Sequence, residues 1–184
     1  MMVVTHVAVG LLVATPIAVF TPDLAVPAAV GAISGGLAPD LDLFVGEHRR
    51  TLHVPVLGPL AAGPAALAFV LVPSPVTVAV AIGVLAAGIH SLSDVLGAGA
   101  ELRPWERTTT DAVYDHVGGR WLRARYVIPY DGAPRDLLVA GVAAGPPLVV
   151  YTGPVRWVLG GLLVVGVGYT ALRRQLVPYL ERVA

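Results

Sequence analysis

The chain has 184 residues, of which 56% are hydrophobic and 13% are charged, and its mean hydropathy is +0.77. Because about a quarter of the residues of a soluble domain are charged, this composition excludes an ordinary soluble protein and predicts a membrane protein. The absence of cysteine excludes disulfides and thiolate metal sites, and the zero net charge argues against a nucleic-acid partner.

Six apolar stretches follow one another along the chain. They cover residues 3–20, 24–38, 54–72, 76–98, 137–152 and 155–172. Each is near the roughly 20 residues that a helix needs to cross a bilayer, although the second and fifth are short enough to leave a complete crossing open. Tight proline-containing turns alternate with long charged segments between the stretches. The sequence therefore predicts an all-α fold, a polytopic membrane helical bundle of about six spans arranged as three hairpins.

The first stretch has no basic segment before it, so we interpret it as a retained helix and not as a signal peptide. We expect residues 1–184 to form a single membrane domain. Within it, residues 1–106 would carry the metal-site helices and loop, residues 107–136 a cytoplasmic loop, and residues 137–184 a C-terminal helical hairpin and tail.

All twelve basic residues are arginines, and their distribution is uneven. If all six stretches cross the membrane, eleven arginines lie on the side of the N-terminus and only Arg156 lies on the other side. The positive-inside rule makes the arginine-rich side cytoplasmic. We therefore expect a multi-pass protein of the cytoplasmic (inner) membrane, embedded in the lipid bilayer, with cytoplasmic N- and C-termini.

The segment "GLAPDLDLFVGEHRRTLH" at residues 36–53 concentrates ionisable groups between two apolar stretches. Pro39 predicts an extended conformation before it. Asp40 and Asp42 would point the same way in an extended segment and would diverge in a helix, and the sequence leaves both arrangements open. One of the two could be a helix-capping residue, and only one need be a direct metal ligand. His48 and His53 follow in the same segment.

A second polar group interrupts the fourth apolar stretch. His90 and Asp94 are four residues apart, so on a helix they share one face and could bind a single ion, or the carboxylate could orient the imidazole. A self-satisfied His–Asp bond that fixes helix packing is the alternative. His6, near the start of the first stretch, would alone indicate an interfacial polar residue, but an even number of crossings brings it to the same membrane face.

Seven nitrogen and oxygen ligands are thus expected at one membrane face. The candidate ligands are His6, Asp40, Asp42, His48, His53, His90 and Asp94. Such ligands suit a divalent metal, with zinc preferred and manganese as the alternative, and leave the number of ions open. An aspartate of the pair Asp40 and Asp42 that is not a ligand could act as a general base, so both are candidate catalytic residues. Arg49 could bind a phosphate of the substrate or anchor the protein to anionic lipid.

Several short motifs resemble those of the YdjM-like family of predicted inner-membrane metal-dependent hydrolases, also described as domain of unknown function 457. They are "TH" at 5–6, "GLAPDLD" at 36–42, "HR" with a second histidine five residues on at 48–53, and "HSLSD" at 90–94. The resemblance covers about residues 1–106, and the ligand order is remotely similar to that of zinc-dependent phospholipase C.

The resemblance implies a ligand set made of His6, one aspartate of the pair at 40 and 42, one histidine of the pair at 48 and 53, and His90 with Asp94. His53 is the preferred histidine, because five residues on a helix turn the face by about 140°. The sequence departs from the family at "HRRTLHV", where the family reads HRGxTHS. The late His and Glu ligands of the phospholipase have no counterpart unless His116 with Asp111 or Asp115 supplies one. We therefore expect a site for one or two metal ions, and a complete three-metal site is less well supported.

Three functions are compatible with these features. The first is a metal-dependent hydrolase that uses a metal-activated water on a phosphoester or related ester at the cytoplasmic membrane face, with phospholipid as a candidate substrate. The second is a non-catalytic, metal-stabilised membrane protein that acts as an interaction or regulatory platform. A transporter is a weaker third, because its ionisable residues should lie at mid-bilayer in broken helices.

The C-terminal part of the chain is expected to support this site. The arginine-rich loop at 99–136 could recognise phosphate, but a solvated or interfacial cap over the site is the preferred interpretation. Residues 126–136 indicate a short strand or extended piece followed by a turn at "DG". The fifth and sixth stretches are given a structural role. The "GGLLVVGVG" at 160–168 predicts close helix packing through small residues.

Overall fold

The computed structural model describes residues 1–181, and this part of the chain is mostly helical. The helices are α1 (Val3–Phe20), α2 (Ala25–Leu37), α3 (Leu57–Leu71), α4 (Pro75–Ser93), α5 (Pro134–Val150) and α6 (Gly153–Leu180), and the strands are β1 (Asp111–Asp115) and β2 (Arg120–Arg123). Short 3-10 helices cover Pro22–Leu24, Ala38–Leu43 and Asp94–Leu96. The predicted all-α bundle is confirmed, and each apolar stretch corresponds to one helix.

Four segments are long and apolar enough to cross a membrane. They are Val3–Phe20, Pro22–Leu43, Pro75–Leu96 and Gly153–Tyr179. The second predicted span belongs to this group because 3-10 turns at both ends lengthen α2 into a segment of 22 residues. The third is shorter than predicted, since α3 has 15 residues, and α5, with 17 residues, is not among the four.

The helices pack as the three predicted hairpins, and α2 also packs between α1 and α4. Glycine makes this close approach possible. A Cβ atom added to Gly31 would lie 2.2 Å from the carbonyl oxygen of Ala79, and one added to Gly35 would lie 2.1 Å from that of Gly83. Small residues therefore set the spacing of α2 and α4, the two helices whose ends carry most of the candidate ligands.

The glycines of α6 do not serve this purpose, so the prediction of close packing at 160–168 is wrong for most of that segment. A Cβ atom added at Gly160, Gly161 or Gly168 would meet no atom of the described residues within 4 Å. Gly166 alone faces a neighbour, with Val4 at 3.4 Å. The physical reason is that α6 lies at the edge of the bundle, with 11% of its apolar segment buried.

Both long charged segments lie at the same end of the bundle. The backbone N–H of Tyr114 donates to the carbonyl of Arg49 at 2.9 Å, and that of Arg125 donates to Val95 at 2.8 Å. The antiparallel hairpin of β1 and β2 thus packs on the 44–56 segment, although no strand was predicted at the residues that form it. The predicted turn at "DG" is present, with Gly132 at a φ of 78°.

Candidate metal centre

Four ionisable side chains from three separate segments meet where α2 and α4 end. Asp40 comes from the 3-10 helix after α2, His53 from the segment before α3, His90 from the last turn of α4, and Asp94 from the residue that follows α4. One ligand atom from each lies within 4.8 Å of the others. His53, His90 and Asp94 are buried, and Asp40 is half-buried. These four residues form a candidate site for a divalent metal.

The distances between the four groups suit coordination of a shared ion. Nε2 of His53 lies 3.3 Å from Oδ2 of Asp94, and Nε2 of His90 lies 3.4 Å from Oδ1 of Asp40. The other two His–Asp distances are 3.7 and 3.8 Å. Metal bonds of about 2.1 Å in a tetrahedral site separate neighbouring ligand atoms by about 3.4 Å, whereas hydrogen bonds between them would measure about 2.7–3.2 Å. The groups are therefore spaced as ligands and not as hydrogen-bond partners.

The imidazole nitrogens that face this cluster have no hydrogen-bond partner. Nε2 of His6, of His53 and of His90 are all buried and unpaired within the described residues. Leaving a buried polar atom unsatisfied costs about 1–3 kcal/mol, so three such atoms in one place call for a ligand. The alternative of a self-satisfied bond between His90 and Asp94 does not fit, because their atoms are 3.8 Å apart.

The opposite ring nitrogens are held by groups that fix the tautomer. Nδ1 of His53 lies 2.8 Å from Oδ2 of Asp42, and Nδ1 of His90 lies 2.8 Å from the carbonyl oxygen of Gly36. A carbonyl and a carboxylate only accept, so Nδ1 carries the proton in both rings. Each Nε2 is left with a lone pair aimed at the cluster, which is the usual arrangement behind a metal-binding histidine.

Asp40 and Asp42 point in different directions. The extended conformation expected before Pro39 is wrong, because Ala38–Leu43 forms a 3-10 helix with Pro39 in its first turn. The helical alternative, in which the two aspartates diverge, is the one present. Proline is tolerated there since the first N–H groups of a helix have no internal partner. As a result Asp40 faces the cluster, while Asp42 turns away from it and accepts hydrogen bonds from His48, His53 and the backbone N–H of Leu52.

His6 lies beside the four-residue cluster and shares Asp94 with it. Its Nε2 is 3.3 Å from Oδ1 of Asp94, while His53 approaches Oδ2 of the same carboxylate. The Met1 ammonium group also donates to Oδ1 of Asp94, at 2.6 Å. The two oxygens of Asp94 therefore face different partners, since Oδ2 faces the cluster and Oδ1 faces His6 and the Met1 ammonium group.

His48 and Arg49 lie at the border of the cluster. The side chain of His48 is 34% exposed, and its Nδ1 donates to Oδ1 of Asp42 at 2.8 Å. Arg49 is buried, with a φ of 63°, and its Nη1 donates to the carbonyl of Ala98 at 2.6 Å. Its Nε lies 3.9 Å from Oδ2 of Asp94 and has no hydrogen-bond partner. This position is inside the protein and next to the cluster, not on the lipid-facing surface.

The two loop histidines differ in their electrostatic surroundings. Burial lowers the pKa of His53, but the nearby carboxylates of Asp94 and Asp42 outweigh it, so the pKa is raised above the ordinary value. For His48, burial lowers the pKa, and its hydrogen bond to Asp42 only partly opposes this. The carboxylates that concentrate around His53 are those expected around a cation.

Two contributors to the site were missed by sequence reasoning. The carbonyl of Gly36 is a backbone group and has no sequence signal. Asp136 is buried at the start of α5, and it accepts from the backbone N–H of Met2 at 2.7 Å and from the hydroxyl of Thr5 at 2.7 Å. It thus holds the start of α1, where His6 lies. The sequence signal that could have identified Asp136 is the position of an acidic residue at the border of the fifth apolar stretch.

The remaining sequence candidates lie apart from the cluster. Nε2 of His116 lies 2.6 Å from the carbonyl of Arg50, and Asp115 accepts from the backbone N–H of Val117, so neither faces the ligands. Comparison with family models, curated proteins and solved structures gives no significant match to this chain. The resemblance to the YdjM-like family therefore stays a prediction that depends on the motifs themselves.

Proposed function

We propose that this protein is a membrane-bound, metal-dependent hydrolase that acts on a phosphoester or related ester at the cytoplasmic face of the inner membrane. The observation that carries the proposal is the set of unpaired, buried Nε2 atoms of His53 and His90 facing Asp40 and Asp94. These residues would hold a divalent ion, with zinc favoured and manganese as the alternative. When bound, such an ion polarises a phosphoryl or carbonyl oxygen and lowers the pKa of a water to near 7.

Access to the site supports a catalytic role. A cavity of about 660 Å³ reaches Asp40, and its wall also includes His48 and Arg49. Structural zinc sites are closed by protein ligands, whereas catalytic sites keep one position open to substrate. Because Asp40 borders both the cluster and the cavity, a substrate in the cavity would lie next to the ion-binding groups.

His48 is the residue best placed to move a proton. Its Nδ1 donates to Asp42, which leaves a lone pair on Nε2, and the ring borders the cavity. We therefore assign His48 as the general acid–base residue and Asp42 as the group that orients it, as carboxylates do for catalytic histidines. Asp42 itself is 1% exposed and both of its oxygens accept hydrogen bonds, so a role as the base does not suit it.

Arg49 would stabilise negative charge on the substrate. Its guanidinium is buried beside Asp94 and the cavity, and its Nε has no acceptor. A fixed donor in a site shielded from water is well suited to a charge that develops during the reaction. The left-handed backbone at Arg49, with a φ of 63°, is a conformation that tends to occur at functional sites.

Metal analysis and an activity assay on the detergent-purified protein test the proposal together. We expect near-stoichiometric zinc or manganese and cleavage of a chromogenic phosphodiester in the wild type. The variants His90→Ala and Asp94→Ala should lose both properties. His116→Ala is the matched control, because it removes an exposed histidine outside the cluster and should keep both.

A non-catalytic, metal-stabilised protein is the second candidate. It is supported by the burial of His53, His90 and Asp94 and by the number of groups available to close the coordination sphere. Stoichiometric metal without turnover on a broad panel of esters would favour it over the hydrolase. Wild-type protein that binds no divalent metal would contradict both candidates.

A further inference from the structure

The cavity that reaches Asp40 extends along α6 with a change in polarity. Val165, Tyr169 and Arg173 contribute to its wall, and their spacing of four residues places them on one face of the helix. From Val165 to Arg173 the helix rises by about 12 Å. The part of the wall that α6 forms is therefore apolar at Val165 and cationic at Arg173, and we call the Arg173 end the cationic end; the rest of the wall at that end also contains the carboxylates of Asp40, Glu101 and Asp131.

Contacts with α1 show which end is which. Val4 of α1 lies against Gly166, and the hydroxyl of Thr170 is 3.8 Å from the sulfur of Met2, so the two helices run antiparallel here. The preceding residue, Met1, contacts Asp94 of the cluster. The cationic end of the cavity therefore lies next to the candidate metal centre, and the apolar end lies deeper along the helices, beside Val4.

Two guanidinium groups in the wall have donors without acceptors. Nε and Nη2 of Arg173 bind the carboxylate of Asp131 at 2.9 and 3.0 Å, and Nη2 also donates to the carbonyl of Leu102. Nη1 of Arg173 is buried and unpaired among the described residues, as is Nε of Arg49. Phosphoryl oxygens are the acceptors that guanidinium groups bind best.

The acids in this wall already interact with other groups. Asp131 is paired with Arg173, Glu101 accepts from the backbone N–H of Thr108, and Asp40 faces the histidines of the cluster. The unpaired donors at this end of the cavity are thus those of the two arginines, and Oε1 of Glu101 is an unpaired acceptor in the same wall.

The apolar end is open toward the outside of the bundle. Val165 is 62% exposed even though it lines the cavity, and 11% of the apolar segment of α6 is buried. In a membrane this face of α6 would contact acyl chains. A ligand with an apolar chain could therefore enter from the side, while a soluble ligand would leave the apolar end without a partner.

We propose that the cavity binds a membrane amphiphile with a phosphoryl head group between Arg49 and Arg173 and an apolar chain along Val165 and Val4. The cavity volume of about 660 Å³ is that of a small-molecule site. This inference rests on the proposed function, because it names a chain-bearing phosphoester as the substrate class. Binding can be measured independently of turnover.

The test compares two phosphonates that differ only in their chain. The full-length protein in micelles of a maltoside detergent, which carries no phosphoryl group, is titrated with dodecylphosphonate and with methylphosphonate, and empty micelles give the correction for partition into detergent. We expect saturable, one-to-one binding of dodecylphosphonate at least tenfold tighter than that of methylphosphonate. Affinity should increase with chain length in a series of alkylphosphonates and then level off when the cavity is filled.

Two neighbouring valines of α6 provide matched variants. Val165→Trp fills the apolar end of the cavity and should weaken dodecylphosphonate binding at least tenfold. Val164→Trp places the same side chain at the adjacent position, which is 73% exposed and outside the cavity wall, and should have no effect. Metal content measured on both variants shows that the centre remains intact, and the chain-length series tests the inference in the wild type without any substitution.

The outcomes separate this inference from the hydrolase proposal. Chain-dependent binding that Val165→Trp removes, without hydrolysis of any ester, would support the cavity and contradict the enzyme. Equal binding of the two phosphonates, or equal behaviour of the two variants, would overturn the inference even if a soluble phosphodiester is cleaved.

Discussion

His6 lies face to face with His90, with ring centroids 3.5 Å apart and an angle of 8° between the ring planes. This stack joins α1 to α4 inside the candidate metal centre. It also brings the Nε2 atoms of both rings to the same carboxylate, 3.3 Å from Oδ1 and 3.8 Å from Oδ2 of Asp94. Asp94 is thus the residue that connects His6 to the four-residue cluster.

The stack leads to a prediction about the role of His6. His6→Ala removes the nitrogen and the stacked ring, whereas His6→Phe removes the nitrogen and keeps an aromatic ring against His90. Because the unpaired Nε2 is the group that we expect to help hold the ion, both variants should lower metal affinity at least tenfold in a competition titration with a chromogenic chelator. Unchanged affinity in His6→Phe together with a loss in His6→Ala would limit His6 to a packing role.

Asp42 should affect the metal without contacting it. Its carboxylate orients His53 and His48 through hydrogen bonds of 2.8 Å each. Replacing such a supporting carboxylate usually costs about 10–100-fold in metal affinity or activity. We expect Asp42→Asn to lower zinc affinity in this range, while Asp23→Asn, at an exposed turn next to α1, should leave it unchanged. Equal affinities in the two variants would contradict the orienting role.

Metal removal should destabilise the fold. The candidate ligands come from the end of α2, the segment before α3 and the end of α4, so a shared ion would link them in the folded state only. Binding to the folded state stabilises it by about 2.7 kcal/mol when the free ion is at 100 times its Kd. We expect a chelator to lower the Tm of the wild type in detergent and to leave that of His90→Ala unchanged.

An equal effect of the chelator on the Tm of the wild type and of the variant would contradict this prediction. If the chelator lowers the Tm of His90→Ala as much as that of the wild type, the ion that it removes is bound elsewhere. Restoring the wild-type Tm with zinc or manganese would also show which of the two metals the site prefers.

The contact between α2 and α4 should tolerate no added methyl group. In Gly35→Ala the new Cβ would lie 2.1 Å from the carbonyl oxygen of Gly83, so the helices must move apart. Overpacking of this kind typically costs about 1–3 kcal/mol. We expect a lower Tm and weaker metal binding, since Gly36 and His90 lie on these two helices. Gly160→Ala is the control, because its Cβ would meet no described atom within 4 Å.

The proposed orientation can be tested with alkaline phosphatase fusions, which are active only outside the cytoplasm. The arginine-rich segments should be cytoplasmic, so fusions at residues 45 and 115 should be inactive. Fusions in the turns at residues 73 and 152 should be active. Activity at 45 or 115 would overturn the orientation without affecting the fold or the metal site.

Much of the architecture was predictable because the bilayer imposes a simple constraint. A segment that crosses hydrocarbon must be apolar and must satisfy its own backbone, so a run of apolar residues indicates a helix. The first stretch was predicted at residues 3–20, and α1 covers Val3–Phe20. The predicted hairpins followed from the prolines between the helices, whereas β1 and β2 were missed because short strands in a polar loop lack a periodic pattern.

The candidate site was predictable only in part. His90 and Asp94 could be assigned to one face from their spacing, and the even number of crossings placed His6 at the same end. The different directions of Asp40 and Asp42 were not predictable, because they depend on a 3-10 turn that the sequence did not indicate. The support of His90 by the carbonyl of Gly36 requires knowing how α2 and α4 pack.

The sequence by itself determined that this protein is a helical membrane protein whose histidines and aspartates gather at one end. Composition and the order of apolar and charged segments are properties of the chain, and they decide which parts lie in lipid. Only the tertiary structure decided which imidazole nitrogens face Asp40 and Asp94 and which cavity leads to them. Those properties depend on distances of a few ångströms between helices, which arise from packing and hydrogen bonds between residues far apart in the chain.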